Sequence, residues 1–157
     1  MFVYSVRAST VKFFGVIALT LVMLVGALVI GQSGAVAVSA ASGVDFGGVK
    51  TNEDRIAFIS QFGIEVSGDP KEEITFRIPD KLEGVLAGYN ELQKIQGLDL
   101  SRYKNKKVTR YTYEIDGYGD YTGPVCVNLI VFRNKIIACD VSSADPSGFI
   151  EPLVKMR

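Results

Sequence analysis

The chain has 157 residues, enough for one globular domain with an appended segment. Its 17 basic and 17 acidic residues give a formal charge of zero, so it lacks the overall positive field expected of a nucleic-acid-binding protein. The chain contains no histidine, which removes the commonest general base and the commonest zinc ligand.

An uncharged apolar run of eighteen residues, Phe13 to Ile30, stands near the start of the chain. A helix of this length spans roughly 27 Å, close to the hydrocarbon thickness of a bilayer. Arg7 and Lys12 precede the run, and no cation follows it for nineteen residues. The positive-inside rule therefore predicts a cytoplasmic N-terminus at 1–12, a single-pass transmembrane signal anchor at 13–31, and an extracellular remainder at the cell membrane.

Residues 32–50 are rich in Gly, Ala and Ser and predict a flexible linker. Ala35 and Ala37 form an Ala-x-Ala motif that also suits a signal peptidase, so a retained anchor and a cleaved signal both stay open. The length of the apolar run favours retention. A lipid anchor would need a cysteine directly after the run, and the only cysteines are Cys126 and Cys139.

The predicted extracytoplasmic domain covers residues 51–157 and begins with a helix. Thr51 and Asp54 have the spacing of a capping box, and Gly63 marks the predicted end. The stretch "EEITFRIP" then alternates apolar and polar residues like a half-buried strand. Asp80 is the predicted N-cap of a second helix that ends at Gly97 and carries an apolar face.

Three further strands are predicted in "KKVTRYTYEI", "PVCVNLIVF" and "KIIACDV", with another short strand considered at Ile64–Val66. The middle strand is apolar at nearly every position except Asn128, which predicts a central, covered place in a sheet. Segregated helices and a meander indicate an α+β fold. The prediction is two helices packed on one face of an antiparallel sheet of about four strands, preceded by one transmembrane helix.

The two cysteines lie on consecutive predicted strands outside the membrane, where oxidation is chemically allowed. A two-residue turn at Arg133–Asn134 would pair Asn128 with Cys139. Cys126 would then lie on the same face one diagonal away, about 7–8 Å between Cα atoms. Because this distance lies just beyond comfortable disulfide reach, two free thiols are predicted.

Several stretches resemble a known family. They are "TNEDRIAFISQFGIEV", the "IP" before the second helix, "YNELQKIQGLDLSRYKNKKVTRYTYEI" and the closing "SGFIEPL". Together they resemble a family of small membrane-tethered bacterial proteins, chiefly of Firmicutes, catalogued as a domain of unknown function. The resemblance covers nearly all of residues 51–154 and implies a secreted or anchored α+β domain. It transfers no catalytic residue.

One segment rich in cations and tyrosines suggests a binding surface, whose candidate residues are Lys104, Lys106, Lys107, Arg110, Tyr118 and Tyr121. The alternative is an ordinary strand. In that case Tyr111 and Tyr113 pack on one side, and the lysines stay in water where the chain enters the strand. Spacing favours the strand, because nothing in it makes the ammonium groups converge.

The loop "DGYGDYTGP" places Asp116 and Asp120 among glycines, but it lacks the strict pattern of a calcium loop, and a turn explains it. We predict no metal and no cofactor. No Gly-x-Ser-x-Gly motif stands in the predicted ectodomain, and the sequence does not single out a pair of carboxylates, so no catalytic residue is assigned.

The predicted function is a membrane-anchored extracytoplasmic domain acting as a non-catalytic binding module at the cell envelope. Its predicted partners are the membrane and an envelope protein or wall component, with no nucleic acid. The alternative is a small cell-envelope hydrolase or a protease-inhibitor-like domain. A cleft lined by two close carboxylates would favour the enzyme, whereas a flat sheet face with exposed tyrosines would favour the module.

Overall fold

The structure is a computed structural model that describes residues 44–66, 68–145 and 148–153. The predicted cytoplasmic segment, the anchor at 13–31 and most of the predicted linker lie outside these residues. Within the described ranges, no helix has the length and apolar character needed to cross a membrane.

The described part of the chain forms two α-helices, a short 3-10 helix and five strands. In chain order these are α1 (Asn52–Ser60), β1 (Glu72–Arg77), α2 (Val85–Ile95), the 3-10 helix (Leu100–Tyr103), β2 (Lys107–Ile115), β3 (Val125–Phe132), β4 (Lys135–Ser143) and β5 (Ile150–Pro152). The strands pair antiparallel in the order β1-β2-β3-β4-β5. The α+β prediction is confirmed, with five strands instead of about four.

The two differences in strand number have local causes. β5 has only three residues and ends at Pro152, so it carries too little alternating pattern to be recognised. The segment Ile64–Val66, considered as a strand, has no strand pairing. Ile64 is buried in the core all the same, so its apolar character reflects packing and not sheet formation.

Helix α1 begins where the capping-box spacing predicts. The Asp54 backbone N–H donates to the Thr51 hydroxyl at 3.2 Å, and the Asp54 carboxylate accepts from the Thr51 N–H at 2.7 Å. These two bonds satisfy backbone donors that would otherwise lack partners at the helix start. Gly63 follows the last turn with a φ of 78°, a left-handed conformation that glycine adopts without strain.

Helix α2 begins later than predicted. Its first residue is Val85, and the N-cap is Gly84 with a φ of 56°, so the prediction of Asp80 as N-cap is wrong. The Asp80 carboxylate instead accepts from the Asn105 side chain at 3.0 Å and ties two loops together. The predicted end is confirmed, because Gly97 closes the helix with a φ of 79°. Residues 79–84 therefore lie across the sheet without forming a helix.

The two helices cover opposite faces of the sheet. Phe58 of α1 belongs to one core cluster with Val127 of β3, whereas Tyr89 of α2 belongs to a second cluster with Ile130 of β3. Residues three apart on a strand point to opposite faces. The prediction that both helices share one face is therefore wrong. The strands β3 and β4 carry buried side chains on both faces, so each face needs its own cover.

Residues 44–50 belong to the fold, although the sequence assigned them to the linker. Val49 is buried, and its N–H donates to the Asn134 carbonyl at 2.9 Å. The Phe46 carbonyl accepts from the Ile136 N–H at 2.8 Å. These bonds cover the outer edge of β4, which β5 leaves exposed at that end, and so protect an edge that could otherwise pair with another chain.

Candidate ligand-binding site

A cavity of about 530 Å³ lies on the face of the sheet that α2 covers. Because α2 begins only at Val85, the non-helical residues 79–84 form part of its roof together with Val85 and Leu86. Alternate residues of β2, β3 and β4 form the floor: Arg110, Thr112, Cys126, Asn128, Ile130, Asp140 and Ser142. Apolar side chains make up most of the walls, including Phe76, Ile78, Leu100 and Ile150.

Polar side chains form a row across this floor, one from each of four neighbouring strands. The strand register aligns Glu72 with Thr112, Thr112 with Asn128, and Asn128 with Asp140. Cross-strand partners place their side chains on the same face, about 5 Å apart. We call Glu72, Thr112, Asn128 and Asp140 the polar row.

Hydrogen bonds join the members of the polar row, with Asn128 at the centre. Its Oδ1 accepts from the Thr112 hydroxyl at 2.8 Å, and its Nδ2 donates to Asp140 Oδ2 at 2.8 Å and to Ser142 Oγ at 2.9 Å. The Tyr89 hydroxyl donates to Asp140 Oδ1 at 2.6 Å. Helix α2 is thereby fixed to the same network that forms the cavity floor.

Asp140 is the buried acid of the cavity, with only 3% of its surface exposed. Burial raises the pKa of its carboxyl group, because removing the group from water disfavours the charged form. The hydrogen bonds from Tyr89 and Asn128 and the charge of Arg110 act in the opposite direction. Burial, together with the nearby Asp140 carboxylate, raises the pKa of Tyr89 well above its usual value.

Arg110 is the one predicted binding residue that lines the cavity. Its guanidinium forms an ion pair with Glu72, and its side chain is 15% exposed compared with 47% for Glu72. The pair links β1 to β2 at the first position of the polar row. Arg110 therefore faces the cavity as a partner of Glu72 and not as part of a lysine cluster.

The six residues of the predicted binding surface do not form one surface. Lys104, Lys106 and Lys107 are exposed at the start of β2, whereas Tyr118 and Tyr121 lie beyond its end. The nine residues of β2 span roughly 30 Å between these two groups. The alternative strand interpretation is confirmed, because Tyr113 is buried and the three lysines remain in water.

The two tyrosines after β2 are structural. Tyr118 stacks on Phe149 with 5.4 Å between ring centroids, and Tyr121 meets the same ring edge-on at 5.3 Å. The Tyr118 hydroxyl donates to Glu151 at 3.3 Å, and the Tyr121 hydroxyl donates to Asp145. These contacts hold the β2–β3 loop against β5 and the residues that precede it.

The cysteines lie on opposite faces of the sheet, and both thiols are free. The turn pairs Phe132 with Lys135 as predicted, but a bulge between Ile130 and Val131 shifts the register, so Cys139 faces Leu129 instead of Asn128. The predicted register is wrong, although free thiols result all the same. Cys126 lines the cavity, where burial raises the pKa of its thiol.

Within the described ranges, no group of three His, Cys, Asp or Glu side chains is placed to hold a metal ion. Asp116 and Asp120 flank a turn in which Gly117 and Gly119 have positive φ values. Ser101 and Lys104 have a Ser-x-x-Lys spacing found in some acyl-enzymes, but both are exposed in or beside the 3-10 helix. Neither set lines the cavity.

The polar row was not predicted from the sequence. A visible signal in the sequence is Asn128 in an otherwise apolar strand, because a buried polar side chain is costly unless it is hydrogen-bonded. Asp140 in "KIIACDV" carried the same signal. The two residues become one site only through the bulge, which makes Asn128 and Asp140 cross-strand partners.

A family model described as "Domain of unknown function (DUF4830)" matches residues 58–141. The match includes α2, β1 to β3 and most of β4, and so all four residues of the polar row. No curated protein shows a match to the chain. No solved structure does either.

Proposed function

The chain belongs to the DUF4830 family, a domain of unknown function, and we propose that it is a membrane-anchored extracytoplasmic binding module of a bacterial cell envelope. The anchor is proposed from Phe13–Ile30, whose length and lack of charge suit a bilayer. The cations before it support an outward-facing domain. The module binds its ligand in the cavity between the sheet and the segment leading into α2.

The cavity carries this proposal because it combines apolar walls with convergent polar groups. Small-molecule sites in proteins are typically concave, mostly apolar and supplied with a few placed polar side chains, and their volumes fall between about 300 and 1,000 Å³. A volume of about 530 Å³ with the polar row on the floor fits this description. The lining acid Asp140 has a raised pKa, which is also frequent at functional sites.

The placement of the carboxylates supports binding over hydrolysis. Glu72 and Asp140 are the two acids of the polar row, and two strands separate them. Three strand spacings correspond to roughly 14 Å between backbones, more than the roughly 9.5 Å that an inverting pair of glycosidase carboxylates allows. Glu72 is also occupied by its ion pair with Arg110.

Filling the cavity is expected to abolish ligand retention. Val85 is half-buried in the roof, and Val85→Trp adds a large ring at that position. The matched control is Ile95→Trp on the same helix, at a residue 45% exposed and outside the cavity. Small molecules that co-purify with the full chain are extracted and identified by mass spectrometry.

The expected result is one or more compounds present with the unchanged chain and with Ile95→Trp, and reduced at least about tenfold with Val85→Trp, as loss of a well-packed site implies. Equal recovery from all three proteins would contradict a ligand in this cavity. Proteins that co-purify in the same way from intact cells would point to an interaction surface elsewhere on the domain.

The proposed orientation has its own test. A reporter enzyme that is active only outside the membrane, fused after Arg157, is expected to be active, because the cations flanking the anchor lie before it. The matched fusion carries a reporter that is active only in the cytoplasm and is expected to be silent. If only the cytoplasmic reporter is active, the domain lies in the cytoplasm and the proposed orientation is wrong.

A further inference from the structure

The O–H and N–H hydrogen atoms of the polar row, on Thr112 and Asn128, are used in hydrogen bonds within the floor. The Thr112 hydroxyl donates to Asn128, the Asn128 amide donates to Asp140 and Ser142, and the Tyr89 hydroxyl donates to Asp140. A hydrogen bond from Ser142 also reaches the Asp140 carboxylate. Hydroxyl and carboxylate oxygens accept more than one hydrogen bond, so acceptor sites are left over, whereas these donors are used.

The charges of the floor are also unequal. The carboxylates of Glu72 and Asp140 share the field of one guanidinium, that of Arg110, which forms an ion pair with Glu72. Because Arg110 is paired with Glu72, the buried Asp140 carboxylate has no ion pair within 4 Å among the described residues. Arg77, Lys81 and Glu83 also line the cavity and are exposed, as Glu72 is, so water and salt screen all four of these charges.

A ligand that satisfies this floor brings donors and a positive charge. We propose that the cavity takes an amphipathic primary amine, with its ammonium group on the Thr112–Asn128–Asp140 acceptors and its apolar body beneath Val85 and Leu86. This inference rests on the proposed ligand-binding function of the cavity. A primary ammonium has three N–H donors on one compact charge, which matches several acceptors at once.

The apolar walls define the rest of the ligand. Phe76, Ile78, Leu86, Ile130 and Ile150 surround the space above the polar row. Transferring an alkyl chain from water to such a surface is favourable by about 0.8 kcal/mol per methylene group. The body is therefore aliphatic or aromatic, and polar substituents there would lose their hydration without gaining a partner.

Cys126 provides a native reporter of occupancy. Its partly exposed thiol lines the cavity, whereas the Cys139 thiol is buried on the other face. The full chain in lipid nanodiscs is treated with the neutral disulfide dithiodipyridine at about pH 8, where the thiolate fraction supports reaction. A bound ligand slows the reaction of Cys126, and Cys126→Ser supplies the background rate.

Four octyl compounds separate the contributions of hydrogen-bond donors and of charge to binding. Octylamine has donors and charge, octyltrimethylammonium has charge without N–H donors, octanol has one neutral donor, and octanoate has acceptors and a negative charge. Half-protection is expected at an octylamine concentration at least about tenfold below that of the other three, as expected for charge-assisted hydrogen bonds. Octanoate is expected to be the weakest.

The outcomes separate the ligand class from the proposed function. If octanoate protects as well as octylamine, or if all four protect equally, the amine inference is wrong and the ligand-binding cavity stands. If none of the four slows the reaction, the proposed function of the cavity fails as well. If octylamine and octyltrimethylammonium protect equally, charge alone is recognised and the role of the acceptors is refuted.

Asp140→Asn tests the acceptor directly. The amide retains a shape that Tyr89 and Asn128 still contact, but it removes the negative charge. The preference for octylamine over octanol is expected to fall at least about tenfold, while protection by octanol stays. Thr112→Val, which removes one acceptor at nearly constant shape, gives a smaller loss and serves as the second variant. An unchanged preference in both variants would overturn the proposal.

Discussion

Replacing Tyr113 with alanine is expected to lower the free energy of unfolding by about 3–5 kcal/mol, the scale of large aromatic truncations in cores. Tyr113 is 1% exposed and packs in the core beneath α1. Its hydroxyl accepts from Arg55 Nε at 2.8 Å and donates to Asn52 Oδ1 at 2.8 Å. Alanine removes the ring and also leaves Arg55, which is 9% exposed, without this partner.

Neighbouring variants divide this effect into its parts. Tyr113→Phe retains the ring and removes the hydroxyl. It is expected to lower the free energy of unfolding by about 1–3 kcal/mol, because a buried donor on Arg55 is left without a partner. Tyr111→Ala removes a half-buried ring that lies 3.8 Å from the Arg55 guanidinium carbon, so about 2 kcal/mol is expected. The matched control changes Lys106 and Lys107 to Gln, and it is expected to cost less than about 0.5 kcal/mol because both are exposed.

Urea unfolding of the chain lacking residues 1–31 measures these free energies, with the slope of the transition compared between variants. A large loss from the lysine pair together with a small loss from Tyr113→Ala would refute the structural role of the tyrosines. Removal of residues 1–31 deletes the only apolar run of membrane-spanning length in the sequence, so this shortened chain is expected to be soluble.

The elements with strong local signals are the ones that the sequence predicted well. Thr51 and Asp54 lie three residues apart and form a capping box without help from distant residues. The alternation from Thr109 to Ile115 determines which side chains of β2 share a face. In each case the deciding interactions lie within one element or between adjacent strands.

Features that depend on distant contacts were predicted poorly. Asp80 has the composition of an N-cap, but its carboxylate binds Asn105, and α2 begins five residues later at Val85. Local spacing does not register a competing partner 25 residues away. The predicted pairing of β3 with β4 was wrong for a related reason. A single bulge between Ile130 and Val131 places Cys139 opposite Leu129.

The candidate site follows from these same features. The late start of α2 leaves residues 79–84 as a roof with space beneath, and the bulge aligns Asn128 with Asp140 on the floor. Neither change leaves a pattern in the sequence. The lysines and tyrosines are close together in the sequence and therefore suggested a binding surface. The members of the polar row are far apart in the sequence and become neighbours only when the strands pair.

Asn128→Ala is expected to lower the free energy of unfolding by about 3 kcal/mol at neutral pH. The change removes the acceptor for Thr112 and the donor for both Asp140 and Ser142, and each buried polar group left without a partner costs about 1–3 kcal/mol. The matched control is Asn134→Ala in the exposed turn, where the side chain has no hydrogen bond among those described. The free energy of unfolding is expected to fall less in this control, because the only cost is that alanine tolerates the positive φ of 62° less well than asparagine.

The cost of Asn128→Ala is expected to depend on pH through Asp140. Because burial raises the folded-state pKa of Asp140 above 3.8, the folded protein binds this proton more tightly than the unfolded chain does. Stability from this group is therefore highest at low pH and falls as pH rises through the folded-state pKa. The Asn128 amide favours the carboxylate, so its removal raises that pKa further and steepens the fall.

Unfolding free energies at about pH 5 and about pH 8 test this coupling. The difference between the unchanged chain and Asn128→Ala is expected to be larger at the higher pH. In the Asp140→Asn background there is no carboxyl group to titrate, so the cost of Asn128→Ala is expected to be the same at both values. A cost that is larger at about pH 5, or a pH dependence that survives Asp140→Asn, would show that Asn128 does not act through Asp140.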